Sequence, residues 1–226
     1  MAGLTPATLP AMQITVGDFR LGHTHFGKAI FESRPMTTGM QIVRLDTDSP
    51  NIHMRARGTW TGLAGHTHTQ MAINLRAGDL GRMLQALGYP NLVAGGKITA
   101  RINGTWSGAP PTFALSRMNG NIQVISDHGR ILEVRPGAGR LLGLFSIAEL
   151  PRRLLLDFGD VFSKGFSFDS IHGRFVLKDG NAYTHNLEIR GPAANIRVQG
   201  RTGLRTHDYN QTVVVLPKLG STLPLL

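Results

Sequence analysis

Apolar and polar residues alternate along most of this chain, as they do in a β-strand that has one buried face. Between Met12 and Val16 every second residue is apolar, and Gln13 and Thr15 separate them. Short segments of the same kind come next, divided by Gly, Pro or Ser: Phe19–Leu21, Ala29–Glu32 and Met40–Leu45. We therefore predict a mainly β fold with many turns.

Three segments repeat one plan, in which an alternating stretch is followed by Gly, then Trp or Thr, then Gly: residues 52–62, 97–108 and 195–203. In the first segment Met54 and Ala56 share a face, and Arg55 and Arg57 take the opposite one. Strands that recur in this way predict a meandering antiparallel sheet with one solvated side. The regular alternation favours a solvated face for the basic residues over a binding patch.

A short helix is predicted near residues 79–88. Asp79 is a good N-cap residue, and Gly88 and Pro90 end the segment. The apolar positions between them have helical spacing: Leu80, Met83, Leu84 and Leu87.

A second interruption of the strand pattern spans residues 136–173, for which we predict a helical insert with short helices within 137–165. Its first apolar stripe repeats at i, i+3, i+4 and i+7: Leu141, Leu144, Phe145 and Ala148. Pro151 predicts a break between helical pieces. After Gly173 strands resume, and Lys178–Asn181 is the clearest hairpin turn in the sequence.

The amino-acid composition limits the kinds of fold and of functional site that this chain can have. The chain has 226 residues, 28 Gly and 12 Pro, and its net charge of +10 suits an anionic partner. It has no cysteine, which excludes a disulfide framework, thiol catalysis and thiolate metal sites. No apolar run approaches the ~18 residues of a membrane span, and residues 1–11, expected to be disordered, have no signal-peptide pattern. We treat residues 1–226 as a single region, expected to be a fragment of a longer chain.

Candidate chemistry is sparse. The pairs His23/His25 and His66/His68 could each present two imidazoles on one strand face, but neither has an obvious third ligand, so structural or exposed histidines are favoured over a zinc site. Three aspartates near the insert have surroundings typical of caps and loops: Asp157, Asp160 and Asp169. No catalytic or phosphate-binding motif is present. We therefore expect no enzyme activity, no catalytic residue, no metal and no cofactor.

Nucleic-acid binding is not favoured either. The chain has only 3 Tyr and 2 Trp for base stacking, and its arginines are dispersed over many strands.

The insert and the strands after it carry a family resemblance. The run GAGRLLGLFSIAELPRRLLLDFGDVFSKGFSFDSIHG, and then LKDGNAYTHNLEIRGPAANIRVQGRTGL, resembles the C-terminal region of the AsmA-like family of Gram-negative envelope proteins. The resemblance implies an elongated, curled antiparallel sheet whose apolar groove carries phospholipid acyl chains across the periplasm. It also implies transfer between the inner and outer membranes, support of the outer-membrane permeability barrier, and an inner-membrane anchor upstream of this chain.

On this hypothesis the alternating apolar face lines the groove. Its candidate residues are Ile14, Val16, Ile52, Met54, Ile73, Ile98, Ile102, Ile122, Val124, Leu187, Ile189, Ile196, Val198, Val213 and Val215. The insert would cap the groove, or contact the inner leaflet of the outer membrane or an outer-membrane protein, through Leu141, Leu144, Phe145, Leu150, Phe158 and Phe162. The alternative is a structural envelope scaffold in which the same face forms a closed β core. The pattern alone does not choose between an open trough and a closed core.

If the paired histidines are structural or exposed, zinc should neither bind stoichiometrically nor raise the melting temperature of the protein. Isothermal titration calorimetry and thermal unfolding with and without zinc measure both quantities. One tightly bound zinc per chain would contradict this interpretation, because a metal site couples binding to folding.

Overall fold

Eleven antiparallel strands form one sheet in which every strand pairs with its neighbours in the sequence. The computed structural model describes residues 5–22, 24–132 and 165–218. The strands are β1 (Met12–Leu21), β2 (Thr24–Met36), β3 (Gly39–Asp48), β4 (His53–Leu63), β5 (His66–Ala77), β6 (Val93–Ser107), β7 (Asn119–Ile131), β8 (Phe166–Lys178), β9 (Asn181–Arg190), β10 (Ala194–Gly203) and β11 (Tyr209–Pro217). The sheet is not closed, and β1 and β11 are its edges. The predicted mainly β, antiparallel fold is confirmed.

The two faces of the sheet differ as the repeats predict. We call the face that carries Met54, Ala56 and Trp60 of β4 the inner face, and the face that carries Arg55 and Arg57 the outer face. Ala56 and Trp60 are buried, whereas both arginines are exposed. The corresponding residues of β6 and β10 obey the same rule, since apolar positions are buried or half-buried and the basic positions between them are exposed.

The hydrophobic core lies on the inner face and is densest towards the C-terminal strands. Ile189 of β9 and Ile196 of β10 are directly paired, and both are 0% exposed. Three aromatic side chains of β8 join the same buried cluster: Phe166, Phe168 and Phe175. Burial of this kind stabilises the fold by ~1.5–3 kcal/mol for each fully buried large apolar side chain.

The predicted short helix is present as α1 (Leu80–Ala86). The Asp79 side chain accepts a hydrogen bond from the backbone N–H of Arg82 at 2.9 Å, so the N-cap is the predicted one. Leu80 and Met83 are buried, and the helix packs against β6.

Two predictions about boundaries need correction. The sequence predicts a disordered lead-in, but its described part contains a 3-10 helix, Pro6–Thr8, whose Pro6 is buried beside β2–β4. The helical insert is predicted to run to Gly173, but β8 already begins at Phe166, because its backbone pairs with that of β7 from this residue onward. The helices predicted within 137–165 lie outside the described residues, apart from residue 165, which belongs to no helix.

The predicted hairpin turn joins β8 to β9. Asp179 and Gly180 have φ values of +52° and +78°, the left-handed pair that a tight two-residue hairpin requires. The turn also holds the loop between β10 and β11. Arg205 Nη2 donates to the Asp179 carbonyl at 2.6 Å, and the Leu204 N–H donates to the Gly180 carbonyl at 2.8 Å.

An ion pair closes the same loop on itself. Arg201 donates to the carboxylate of Asp208 and, at 2.8 Å, to the side-chain oxygen of Asn181. Hydrogen bonds from Arg201 and then from Thr206 lower the pKa of Asp208 from 3.8 to about 2. The loop is therefore held by a carboxylate that must be ionised.

The lowered pKa predicts a specific pH dependence of stability. Asp208 stabilises the folded chain above its unfolded pKa of 3.8, and this contribution is lost as the pH falls towards about 2. Asp208→Asn should therefore flatten the fall in the free energy of unfolding over that interval, measured by urea unfolding at a series of pH values. Equal slopes for wild type and Asp208→Asn would contradict the assignment.

Candidate functional site

The inner face encloses an apolar cavity of about 700 Å³. Its wall is built from both ends of the sheet and from its middle. Phe19 and Phe26 come from β1 and β2, Ile73 from β5, and Leu204 and Tyr209 from the β10–β11 end. Because the first and last strands reach the same cavity, the sheet is curled, as predicted.

The floor of the cavity continues a row of apolar side chains that crosses the strands. The directly paired residues of this row, from β1 to β8, are Ile14, Phe31, Leu45, Ala56, Ile73, Ile102, Ile122 and Phe175. Directly paired residues of antiparallel strands point to the same face, and neighbouring strands are ~4.8 Å apart, so seven steps span roughly 34 Å. The row is therefore a continuous apolar path perpendicular to the strands.

One wall of the cavity is the segment that joins β6 to β7. It contains two 3-10 helices, Pro110–Thr112 and Leu115–Arg117. Trp106 Nε1 donates to the Ala109 carbonyl at 3.2 Å, and the Trp106 ring meets Phe113 edge-on at 5.2 Å between centroids. These contacts fix two large aromatic side chains at the cavity wall.

The predicted groove residues divide into four groups. Met54, Ile73 and Ile102 line the cavity. Ile14 and Val16 of the edge strand β1 are 43% and 36% exposed. Val213 and Val215 of β11 are half-buried against the core. The remaining residues are buried in the core: Ile52, Ile98, Ile122, Val124, Leu187, Ile189, Ile196 and Val198.

The inner face is thus open in one part and closed in another. Cavity-lining residues belong mainly to β1–β6 and the β10–β11 end, while the most deeply buried aliphatic side chains belong to β8–β10. Ile52 differs from its prediction in another way, because it precedes β4 and lies in the turn. There the Ser49 hydroxyl donates to its carbonyl at 3.1 Å.

Several cavity residues are missing from the sequence prediction. Phe113 and Leu115 lie in the segment APPTFALSRM, which has no strand period and reads as a connection between strands. Two prolines followed by apolar residues in a loop are the signal that could have identified it. Leu87 and Tyr89, just beyond α1, also line the cavity.

The structure also places the other candidate residues. The six predicted cap residues of the insert, with Asp157 and Asp160, lie outside the described residues, and Asp169 is an exposed residue of β8. His25 is 3.1 Å from Asp18, and His66 and His68 lie in the β4–β5 hairpin. Within the described ranges, no three His, Asp or Glu side chains are placed to hold a metal ion. In the same ranges, no helix has the length and apolarity needed to span a membrane.

Comparison with known proteins gives the family. A family model described as YhdP protein matches residues 2–226. The intermembrane phospholipid transporter YhdP of Escherichia coli (strain K12) is 30% identical over 177 residues, which are 78% of this chain and 14% of that protein. The chain therefore spans about one seventh of the length of this relative, whose name describes a transporter. No solved structure gave a significant match. The chain belongs to the YhdP protein family.

Proposed function

We propose that this chain is a lipid-transfer segment of a periplasmic protein that moves phospholipids between the inner and outer membranes and thereby supports the outer-membrane permeability barrier. The observation that carries the proposal is the apolar cavity of about 700 Å³, continuous with an apolar row across eight strands. The relative's name, intermembrane phospholipid transporter, supplies the class of cargo.

The physical basis is the transfer of hydrocarbon from water to an apolar surface. Each CH₂ of an acyl chain that leaves water gains ~0.8 kcal/mol, whereas the head group stays hydrated at the open side. The hydrocarbon core of a bilayer is ~30 Å thick, or ~15 Å for each leaflet. The part of the row that lines the cavity runs from Leu45 to Ile102 over three strand spacings, ~14 Å, which is about the depth of one leaflet. Movement of an acyl chain along this surface breaks no covalent bond and requires no catalytic residue.

The residues proposed to contact the acyl chain are those at the open part of the inner face. Met54, Ile73 and Ile102 form the floor, and Phe19 and Phe26 form one wall. The buried members of the predicted set, such as Val198, would support this surface from within the core. The predicted cap residues of the insert are proposed to meet the outer membrane.

A scaffold with no transport role is the second candidate. It is favoured by the closed packing of β8–β10, where Leu187, Ile189 and Ile196 are at most 1% exposed. On that hypothesis the cavity would be a packing irregularity of an otherwise structural sheet.

A pair of matched substitutions separates the two functions. Ile102→Asp introduces a carboxylate at the half-buried cavity floor, where it can stay hydrated, so we expect a stability loss of about 1–2 kcal/mol. Val198→Asp places the same group at a position that is 4% exposed. We expect it to cost on the order of 3 kcal/mol or more, or to prevent folding. Urea unfolding measures both effects.

The functional measurement uses the same variants. Phospholipid that co-purifies with the wild-type chain, quantified by mass spectrometry, should be strongly reduced for Ile102→Asp and retained for Ile102→Leu, which conserves volume. The full-length protein carrying Ile102→Asp should also fail to maintain the outer-membrane barrier in cells. If Ile102→Asp is destabilised as much as Val198→Asp, the result favours the scaffold. If Ile102→Asp folds and co-purifies with as much phospholipid as the wild type, the proposal that acyl chains bind this part of the inner face is refuted.

A further inference from the structure

The basic charge of this chain is concentrated on the middle strands. Strands β4–β8 carry eight Lys and Arg residues but only two carboxylates, Asp127 and Asp169. Strands β1–β3 carry four basic and four acidic residues, and several of these pair with each other, such as Arg20 with Asp18 and Arg44 with Asp46. The excess positive charge therefore belongs to one region rather than to the whole surface.

The register aligns three of these arginines on the outer face. Across β4–β8 the directly paired residues are Arg55, Asn74, Arg101, Gln123 and Arg174. Arginine thus alternates with an amide side chain, and the arginines are separated by two strand spacings, ~9.6 Å. All three are exposed, and their guanidinium groups form no ion pair with the described residues. We call this set the arginine row.

A carboxylate stands at one end of the row. Asp46 of β3 faces Arg55 across the strand pair, but its side chain accepts a hydrogen bond from Arg44 Nε at 2.7 Å. Arg44 also lies 3.6 Å from Glu32, so it pairs with two carboxylates and matches the Asp46 charge only in part. The remaining negative charge acts on Arg55, the nearest member of the row, while Arg101 and Arg174 lie further along the sheet.

A polar cleft of about 790 Å³ lies beside the arginine row on the same sheet. Its polar lining consists of the guanidinium of Arg57 and of amide and hydroxyl side chains, and the apolar Val43 and Ala72 also line it. The amide and hydroxyl residues are Gln41, Thr59, Gln70, Asn103, Thr105 and Asn119. Arg57 and Asn103 lie two residues along their strands from Arg55 and Arg101, a distance of ~6.7 Å. The cleft and the arginine row are therefore neighbouring parts of one surface.

Residues of the inner face also border the cleft through their backbone. Gly58 and Gly104 line it and flank Met71 in one cross-strand row. A Cβ at Gly58 would lie 2.6 Å from Met71 Sδ, and a Cβ at Gly104 would overlap Met118 Sδ. Gly58, Met71 and Gly104 all belong to the inner face, so a side chain at either glycine would point into the core, and only the backbone of these residues borders the cleft.

We propose that the outer face of β4–β8 binds an anionic glycan. Guanidinium groups at fixed spacing bind carboxylate or phosphate groups, and they do so in a planar, bidentate geometry. Amide and hydroxyl side chains both donate and accept, which matches the hydroxyl groups of a sugar. The arginine row holds the charges of the glycan, and the polar cleft holds the neighbouring sugar hydroxyls.

Two other anionic partners fit this surface less well. A bilayer surface is broad and cannot enter a cleft. Leu63, at the end of β4, and Val176 of β8 are the exposed large apolar side chains of these five strands, and they lie on strands at opposite sides of the group, so they form no continuous patch that could insert among lipids. Nucleic acid binding uses exposed aromatic stacking, whereas both tryptophans, Trp60 and Trp106, are buried on the inner face.

The test measures binding of a short fluorescent oligogalacturonate, whose sugars carry both carboxylates and hydroxyls, to this chain. Changing Arg55, Arg101 and Arg174 together to Gln should raise the dissociation constant about tenfold or more, because charge-assisted hydrogen bonds are lost. A control with the same loss of charge changes Arg20, Arg190 and Arg197 to Gln, which are ion-paired elsewhere on the sheet, and should change it far less.

A second variant tests whether the polar cleft contributes to binding. Gln70→Ala with Asn103→Ala alters no charge and should weaken oligogalacturonate binding several-fold, while binding of poly-L-glutamate, which has carboxylates but no hydroxyls, should not change. Thermal unfolding checks that each variant remains folded, as expected for exposed positions.

The outcomes that overturn the proposal are distinct. If the two triple arginine variants lose oligogalacturonate affinity equally, binding depends only on net charge. The same conclusion follows if wild-type protein binds poly-L-glutamate and oligogalacturonate with equal affinity. Tighter binding to phosphatidylglycerol vesicles or to a single-stranded oligonucleotide would assign the surface to a membrane or to nucleic acid. No measurable binding of oligogalacturonate would also refute it.

Discussion

The direct pairing of eleven consecutive antiparallel strands is the constraint on which the rest of this structure depends. Antiparallel pairing places opposite residues on the same face, so a two-residue period within each strand becomes a row across the whole sheet. The apolar row from Ile14 to Phe175 and the arginine row from Arg55 to Arg174 are products of one register. A slip of one residue in any of the arginine-bearing strands would bring arginine to the inner face, which is why the register is strongly specified.

Burial along the inner face changes from one end of the sheet to the other. Where aromatic side chains of β8 cover their neighbours, aliphatic residues such as Ile189 and Ile196 reach 0% exposure. Where the inner face of β1–β6 meets the β10–β11 end, a cavity remains between large apolar side chains such as Phe19 and Ile73. Proteins pack their cores densely, so the two regions respond differently to substitution. The open and closed interpretations of the inner face therefore apply to different strands of the same sheet.

Much of this architecture is predictable from local patterns. Alternation indicates the strands and their faces, Asp79 and the apolar stripe indicate α1, and Asp179–Gly180 indicates the hairpin. Register is not predictable, because bulges such as the one between Ile42 and Leu45 shift it by steps that no local pattern reports. The Trp106–Phe113 wall escapes prediction for a related reason, since long-range packing, and not periodicity, brings that loop to the cavity.

The two faces also explain how one thin sheet can present opposite chemistries. In a strand, neighbouring side chains point to opposite sides, so Arg101 and Ile102 are adjacent in sequence but lie on the outer and inner faces. A single layer thus separates a charged, hydrated surface from an apolar one by the thickness of the backbone. In a sheet with an open inner face this arrangement keeps the outer side hydrated without covering the apolar surface by a second layer. Positive charge is concentrated on β4–β8, and β4–β6 also supply much of the cavity floor, so the outer face is most strongly hydrated where the inner face is open.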